Sequence, residues 1–155
     1  MSKALSLPPL TVALGSGEAL DLATLQGKLV VIYAYPKDST PGCTREGQDF
    51  RDLHPQFQAL GAEVFGLSRD SVASHARFAE KQGFPFELIS DPEETLCRAL
   101  DVIQEKSLYG RKFMGIERST FLFGADGDLI QAWRKVKVPG HAQAVLDAVK
   151  AAKHG

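Results

Sequence analysis

Cysteine is nearly absent from this chain: two thiols, Cys43 and Cys97, in 155 residues. Two are too few for the disulfide framework of a small secreted domain. With no Cys-x-x-Cys or His-x-x-His pair between them, they do not read as a soft-ligand metal cluster. An excess of charge is missing as well. Eighteen Lys and Arg face nineteen Asp and Glu for a net charge of −1, so there is no broad basic field for nucleic acid or anionic membrane. No apolar run approaches the roughly 20 residues of a membrane span, and Met1–Pro9 lacks the apolar core of a signal peptide. Internal repeats and linkers are absent too. What remains is the expectation of a soluble, cytoplasmic protein folded as a single domain over residues 1–155. Its 44% apolar and 24% charged composition is that of an ordinary globular chain. At this length it can bury about two-thirds of its unfolded surface.

Apolar runs and turn residues punctuate what is present. Pro8-Pro9 makes residues 1–9 an extended lead-in. Leu10–Leu14 and a segment around Glu18–Leu22, joined by Gly15-Ser16-Gly17, predict an N-terminal β-hairpin. Leu29-Val30-Val31-Ile32-Tyr33-Ala34 predicts a buried strand. A helix from Pro41 to about Leu60 follows, with Phe50, Leu53, Phe57 and Leu60 on one face. Pro55 is expected to kink or divide that helix, and Gly47 to weaken it by about 1 kcal/mol. Next come a strand at 62–68, a helix from Ser71 to Gln82 capped by Ser71 and stopped by Gly83, and a short strand at 84–89. Pro92–Leu100 predicts a helix with Asp91 as its cap. Residues 102–117, aperiodic and containing Gly110 and Gly115, predict a long irregular loop. A strand at 119–123, an Asp-Gly turn, a hairpin strand over Leu129–Val136 and a helix from Gly140 complete the order. The class is α/β, with a central mixed sheet and helices on both faces.

The chemistry gathers at Tyr35-Pro36-Lys37-Asp38-Ser39-Thr40-Pro41-Gly42-Cys43-Thr44-Arg45-Glu46, where the buried strand turns into a helix. Open α/β sheets place their ligands at such carboxyl ends. Thr40 is a suitable N-cap and Pro41 a suitable first helical residue, which puts Cys43 in the first turn with the Thr40 hydroxyl beside it. First-turn amides lack intrahelical partners, and the helix dipole adds positive charge there. Cysteines so placed have their pKa drawn from about 8.5 to roughly 3.5–7.5, so Cys43 reads as a thiolate at neutral pH. Gly42 leaves room for a small substrate against those amides. Thioredoxin-type exchange would need a second cysteine at position 46, which holds Glu46. Acyl transfer would need a histidine base; His54, His75, His141 and His154 stand in no local partnering motif, which leaves a spatial partner open. Oxidation of the thiolate by a peroxide needs only donors for the two oxygens, and access.

Pro36-x-x-x-Thr40-x-x-Cys43 with Glu46 resembles the active-site signature of the peroxiredoxins. The longer string from Tyr35 to Thr44 is similar to the bacterioferritin comigratory protein, or peroxiredoxin Q, subfamily. The likeness continues through Ser90-Asp91-Pro92, Gly115-Ile116-Glu117-Arg118-Ser119-Thr120-Phe121-Leu122, and Trp133 to Gly140-His141. It implies a thioredoxin-like fold and a thiol-dependent peroxidase, an antioxidant oxidoreductase of cell redox homeostasis. The substrates would be hydrogen peroxide and organic hydroperoxides, with no metal or cofactor. By resemblance, Cys43 is the peroxidatic cysteine that becomes a sulfenic acid, Thr40 the hydroxyl that bonds thiolate and peroxide, and Pro36 the shield against water. Arg118 is the cation that stabilises thiolate and substrate. Glu46, one turn after Cys43, is expected either to be tied to Arg118 or Arg45, or to stand solvated.

The sequence departs from the subfamily at the second cysteine. The position five residues after Cys43, where many relatives carry a resolving thiol, is Gln48, and Ser71–Gln82 has no cysteine either. Cys97 reads as a core thiol, with a resolving role as the alternative. A one-cysteine mechanism is expected, with an external reductant: thioredoxin, glutaredoxin with glutathione, or a small thiol. A monomer is expected. Trp133 is read as packing, His141 as starting the last helix, Lys37 and Asp38 as solvated loop residues, and Tyr109-Gly110-Arg111-Lys112 as a possible docking loop. Competing readings are a redox-sensing or chaperone-like binding protein switched by Cys43, and a disulfide reductase.

Overall fold

In a computed structural model the protein is described over residues 5–154. The strands are β1 (Thr11–Leu14), β2 (Ala19–Asp21), β3 (Leu29–Ala34), β4 (Ala62–Ser68), β5 (Glu87–Ser90), β6 (Ile103–Leu108), β7 (Arg111–Ile116), β8 (Ser119–Phe123) and β9 (Leu129–Trp133). The helices are α1 (Pro41–Ala59), α2 (Val72–Gln82), α3 (Thr95–Ala99) and α4 (His141–His154). Among the described residues, seven strands form one sheet in the order β2-β1-β5-β4-β3-β8-β9. The crossovers through α1 and α2 make β3, β4 and β5 parallel, and β1, β8 and β9 join antiparallel. This is the expected mixed sheet flanked by helices, with β1 and β2 as the N-terminal hairpin.

β3 is apolar throughout because it is covered on both sides. Its Val31 and Tyr33 face Phe50 and Phe57 of α1, Phe78 of α2, and Val145, Leu146 and Val149 of α4. Its Val30, Ile32 and Ala34 face Leu22, Leu25, Leu96, Cys97, Leu100 and Ile116. The three long helices thus share one face, and a short 3-10 turn with α3 covers the other.

Several local expectations change. α1 runs undivided through Pro55, which lies on its exposed side. The helix predicted over 92–100 begins only at Thr95: Glu94 takes a left-handed backbone with φ 64°, and Pro92-Glu93 turn instead. Asp91 does not cap from the predicted place but accepts from the Cys97 amide at 2.7 Å. Residues 102–117 are no loop. β6 and β7 pair along their length about a two-residue turn, Tyr109 (φ 52°) and Gly110 (φ 78°). β5 starts at Glu87 rather than 84, and β9 stops at Trp133 rather than 136. Of the extended lead-in, residues 1–4 lie outside the described residues; Leu5–Leu7 are hydrogen-bonded to Gly127 and Leu129, with a bridge from Ser6 to Asp128.

Candidate active site

Two pieces of sheet geometry bring the site together. Ala34 ends β3, and a six-residue turn leads to Cys43 in the first turn of α1. β8 runs antiparallel to β3 with Ser119 opposite Ala34, so the residue just before β8, Arg118, arrives at the same end of the sheet. A separation of 75 positions closes to 3.4 Å between Arg118 Nη2 and Cys43 Sγ. The other arm of the guanidinium, Nη1, donates to Glu46 Oε1 at 2.7 Å. Glu46 therefore takes Arg118 as its partner, while Arg45 pairs with Asp49.

Cys43 is buried, 1% exposed, and so is Glu46. Burial drives the Glu46 carboxyl up to about 7 although Arg118 pulls it down, and Oε2 has no hydrogen-bond partner. Burial acts against the Arg118 charge, but Glu46 and Cys43 together hold the guanidinium protonated beyond its ordinary range. A Cβ on Gly42 would sit 3.1 Å from Arg118 Nη2. The missing side chain at Gly42 thus lets the guanidinium lie close against the start of α1.

Thr40 is the N-cap of α1, but its side chain makes no capping bond. Its hydroxyl donates to Lys37 O at 2.9 Å instead. The cause is Ser39, whose left-handed backbone (φ 65°) folds the loop back on itself. Pro36 is half-buried at the head of that loop. Asp38, expected to be solvated, is buried and accepts from Tyr35, Ser74 and His75. Nothing in the local sequence signals this cluster, because a single Asp in a polar loop and a single His in a helix carry no shared motif.

His141 opens α4, buried against Phe50 and Trp133, with Nε2 2.7 Å from Thr120 Oγ1. Burial, helped by the Arg118 charge, brings it down to about 4. Lys106 of β6 is also lowered, by burial and then by Arg118, so the hairpin lies within the electrostatic reach of the site. Its tip leaves Leu108, Tyr109, Phe113 and Met114 exposed.

Cys97 is not part of this constellation. It is fully buried in the layer on the far side of the sheet from Cys43. Burial and the neighbouring Asp91 push its thiol far above its ordinary value. Gln48 spends its amide on Gln82 of α2 at 3.0 Å. Among the described residues no cluster of His, Cys, Asp and Glu is arranged to hold a metal, and no helix is long and apolar enough to cross a membrane.

The profile of the AhpC/TSA family matches residues 5–132. Peroxiredoxin Bcp of Xanthomonas campestris pv. campestris is 58% identical over 142 residues, covering 92% of this chain and 89% of that protein. Peroxiredoxin Bcp of Bacillus subtilis is 47% identical, covering 92% and 91%. Among solved structures, the Xanthomonas campestris bacterioferritin comigratory protein, studied for alkyl peroxide reduction, superposes with a TM-score of 0.92 at 54% identity, covering 97% and 99%. BcpB of Mycobacterium tuberculosis gives 0.84 at 29% identity, covering 97% of each chain.

Proposed function

The chain belongs to the AhpC/TSA family, as a thiol-dependent peroxidase with the thioredoxin-like fold of the peroxiredoxins, and we propose that Cys43 reduces hydrogen peroxide and organic hydroperoxides by a one-cysteine route. The observation that carries this reading is the Arg118 fork, one arm on Cys43 Sγ and the other on Glu46. A fixed planar cation on the sulfur favours the attacking thiolate and offers donors to the oxygen that gains charge as the peroxide bond breaks. The sulfur takes one peroxide oxygen, forming S–O as O–O breaks. The other oxygen leaves as alkoxide or hydroxide and takes a proton, and Cys43 is left as sulfenic acid. Thr40 and Pro36 border the oxygens, and the first-turn amides at Gly42 and Cys43 supply further donors.

An external thiol then attacks the sulfenic sulfur, releasing water and forming a mixed disulfide that a second thiol opens. The position of Cys97 beneath the opposite face of the sheet supports an external partner over internal resolution. The reductant is a small thiol or a thioredoxin- or glutaredoxin-type protein, and the working form is a cytoplasmic monomer. Cys43→Ser is expected to abolish peroxide consumption with dithiothreitol as reductant, and Cys97→Ser to keep it. Loss of turnover in Cys97→Ser, with fold intact by circular dichroism, would instead establish a two-cysteine enzyme resolved by Cys97.

A further inference from the structure

The loop between β3 and α1 carries Pro36 and Thr40, yet apolar packing scarcely holds it. Of residues 37–40, Lys37 and Ser39 are exposed, Thr40 is half-exposed, and only Asp38 is buried. Ser39 holds a left-handed backbone that non-glycine residues seldom adopt, so its surroundings must impose the loop's path. Asp38 supplies the constraint. Its Oδ1 accepts from Tyr35 Oη at 2.6 Å, its Oδ2 from Ser74 Oγ at 2.7 Å and from His75 Nδ1 at 2.8 Å. Its own amide donates to Asp70 Oδ2 at 2.9 Å.

His75 is the least replaceable of these partners. Its ring is fully buried, and its far nitrogen, Nε2, lies 2.9 Å from Ile89 O, which can only accept. Burial alone would raise the Asp38 carboxyl, but the donors from His75, Tyr35 and Ser74 outweigh it, so Asp38 is held ionised and can only accept too. The ring thus spans from the Asp38 carboxylate to the Ile89 carbonyl, tying the loop through α2 to the backbone of β5.

We propose that His75 is a positioning residue for the peroxidase reaction, acting through Asp38 to fix the path of the 36–40 loop, which carries Pro36 and Thr40 and leads into the helix start that bears Cys43. This rests on Cys43 being the attacking group. His75 never reaches the sulfur; it fixes the strand–loop–helix path on which the site is built. Small misplacements of reacting groups cost up to about 100-fold in rate, so loosening this tie slows chemistry even where the fold survives.

Two amide substitutions separate the ends of the imidazole. An asparagine side chain reaches as far as Nδ1 and keeps a donor for Asp38, and a glutamine reaches Nε2 and keeps one for Ile89 O. The readout is the second-order rate of Cys43 oxidation by hydrogen peroxide, followed by quenched-flow mass spectrometry, with Tm measured in parallel. His75→Gln is expected to be about 10- to 100-fold slower than wild type, and His75→Asn within about threefold of it. His75→Gln/Asp38→Asn should be no slower than the slower single variant, because both remove one contact. If His75→Gln does not fold, Asp38→Asn tests the same contact from the loop side, with the same slowing expected. A wild-type rate in His75→Gln or Asp38→Asn overturns the proposal. So do equal losses in both His75 variants that merely follow Tm. A wild-type Cys43 no faster than free cysteine overturns the assignment of Cys43 itself, and the proposal with it.

Discussion

At Arg118 one guanidinium serves two buried partners, and the two services differ in kind. Toward Glu46 it compensates a buried carboxyl, one of whose oxygens has no hydrogen-bond partner at all. Toward Cys43 it supplies a donor at the sulfur. Removing one member of a buried pair leaves the other uncompensated, typically at about 3–5 kcal/mol. Arg118→Met is therefore expected to lose stability on that order in urea denaturation, and to lose peroxide consumption about 100-fold or more. Adding Glu46→Gln should restore most of the stability, since a neutral amide needs no cation, and none of the activity. Recovery of both together would mean that Arg118 acts only as a strut. Arg118→Lys keeps the charge but cannot fork between two partners, and should fall between the extremes.

Among elements, α1 shows how a residue that weakens a helix can strengthen a fold. Gly47 costs its helix about 1 kcal/mol relative to alanine, and the sequence alone suggests only that cost. A Cβ there would collide with the Phe84 ring at Cζ. The Phe84 ring has little room to retreat, being stacked on Phe86 and set edge-on to Phe78. Gly47→Ala is expected to lower Tm, since overpacking costs about 1–3 kcal/mol and outweighs the propensity gain. In a Phe84→Ala background the same change should raise Tm, a reversal of sign that thermal melts would detect. Elements with strong periodicity or end signals were legible from sequence: β3, β4, α1, and α2 between its Ser71 cap and left-handed Gly83. The β6–β7 hairpin was not, because most of its residues are exposed, on both faces near the tip, and no alternation is written into them. At the site, the thiol at a helix start was legible from local signals. The role of Arg118 came only by resemblance, since its arrival depends on pairing between strands far apart in sequence. The Thr40 hydroxyl bond and the Asp38–His75 tie depend on the turn at Ser39 and the docking of α2, which no local pattern encodes.

Over the whole molecule, buried titratable groups set opposing pH dependences of stability. Glu46, raised from 4.5 to about 7 by burial, binds its proton more tightly folded than unfolded. The folded state therefore holds the extra proton between about pH 4.5 and 7, and stability falls as pH rises through that window. His141, lowered from 6.5 to about 4, works the other way: the unfolded chain takes up the proton first, so stability is lost as pH falls from about 6.5 toward 4. Buried His54, also lowered, adds to that acid-side loss. Each fully expressed one-proton difference has a slope of about 1.4 kcal/mol per pH unit, so the opposed slopes offset each other between roughly pH 4.5 and 6.5. Glu46 and His141 should then nearly cancel across that range, leaving the gentle rise with pH that His54 contributes, and stability should fall on the acid side below it and toward pH 7 above it. Single substitutions expose the hidden slopes. Glu46→Gln should make stability climb with pH from about 4.5 to 6.5, whatever the absolute loss from breaking the Arg118 pair. His141→Gln should make it decline over the same interval. Urea denaturation at half-unit pH steps measures both. Parallel profiles for the two variants and the wild type would mean that neither group changes its proton affinity on folding, and that acid sensitivity arises from the paired carboxylates instead.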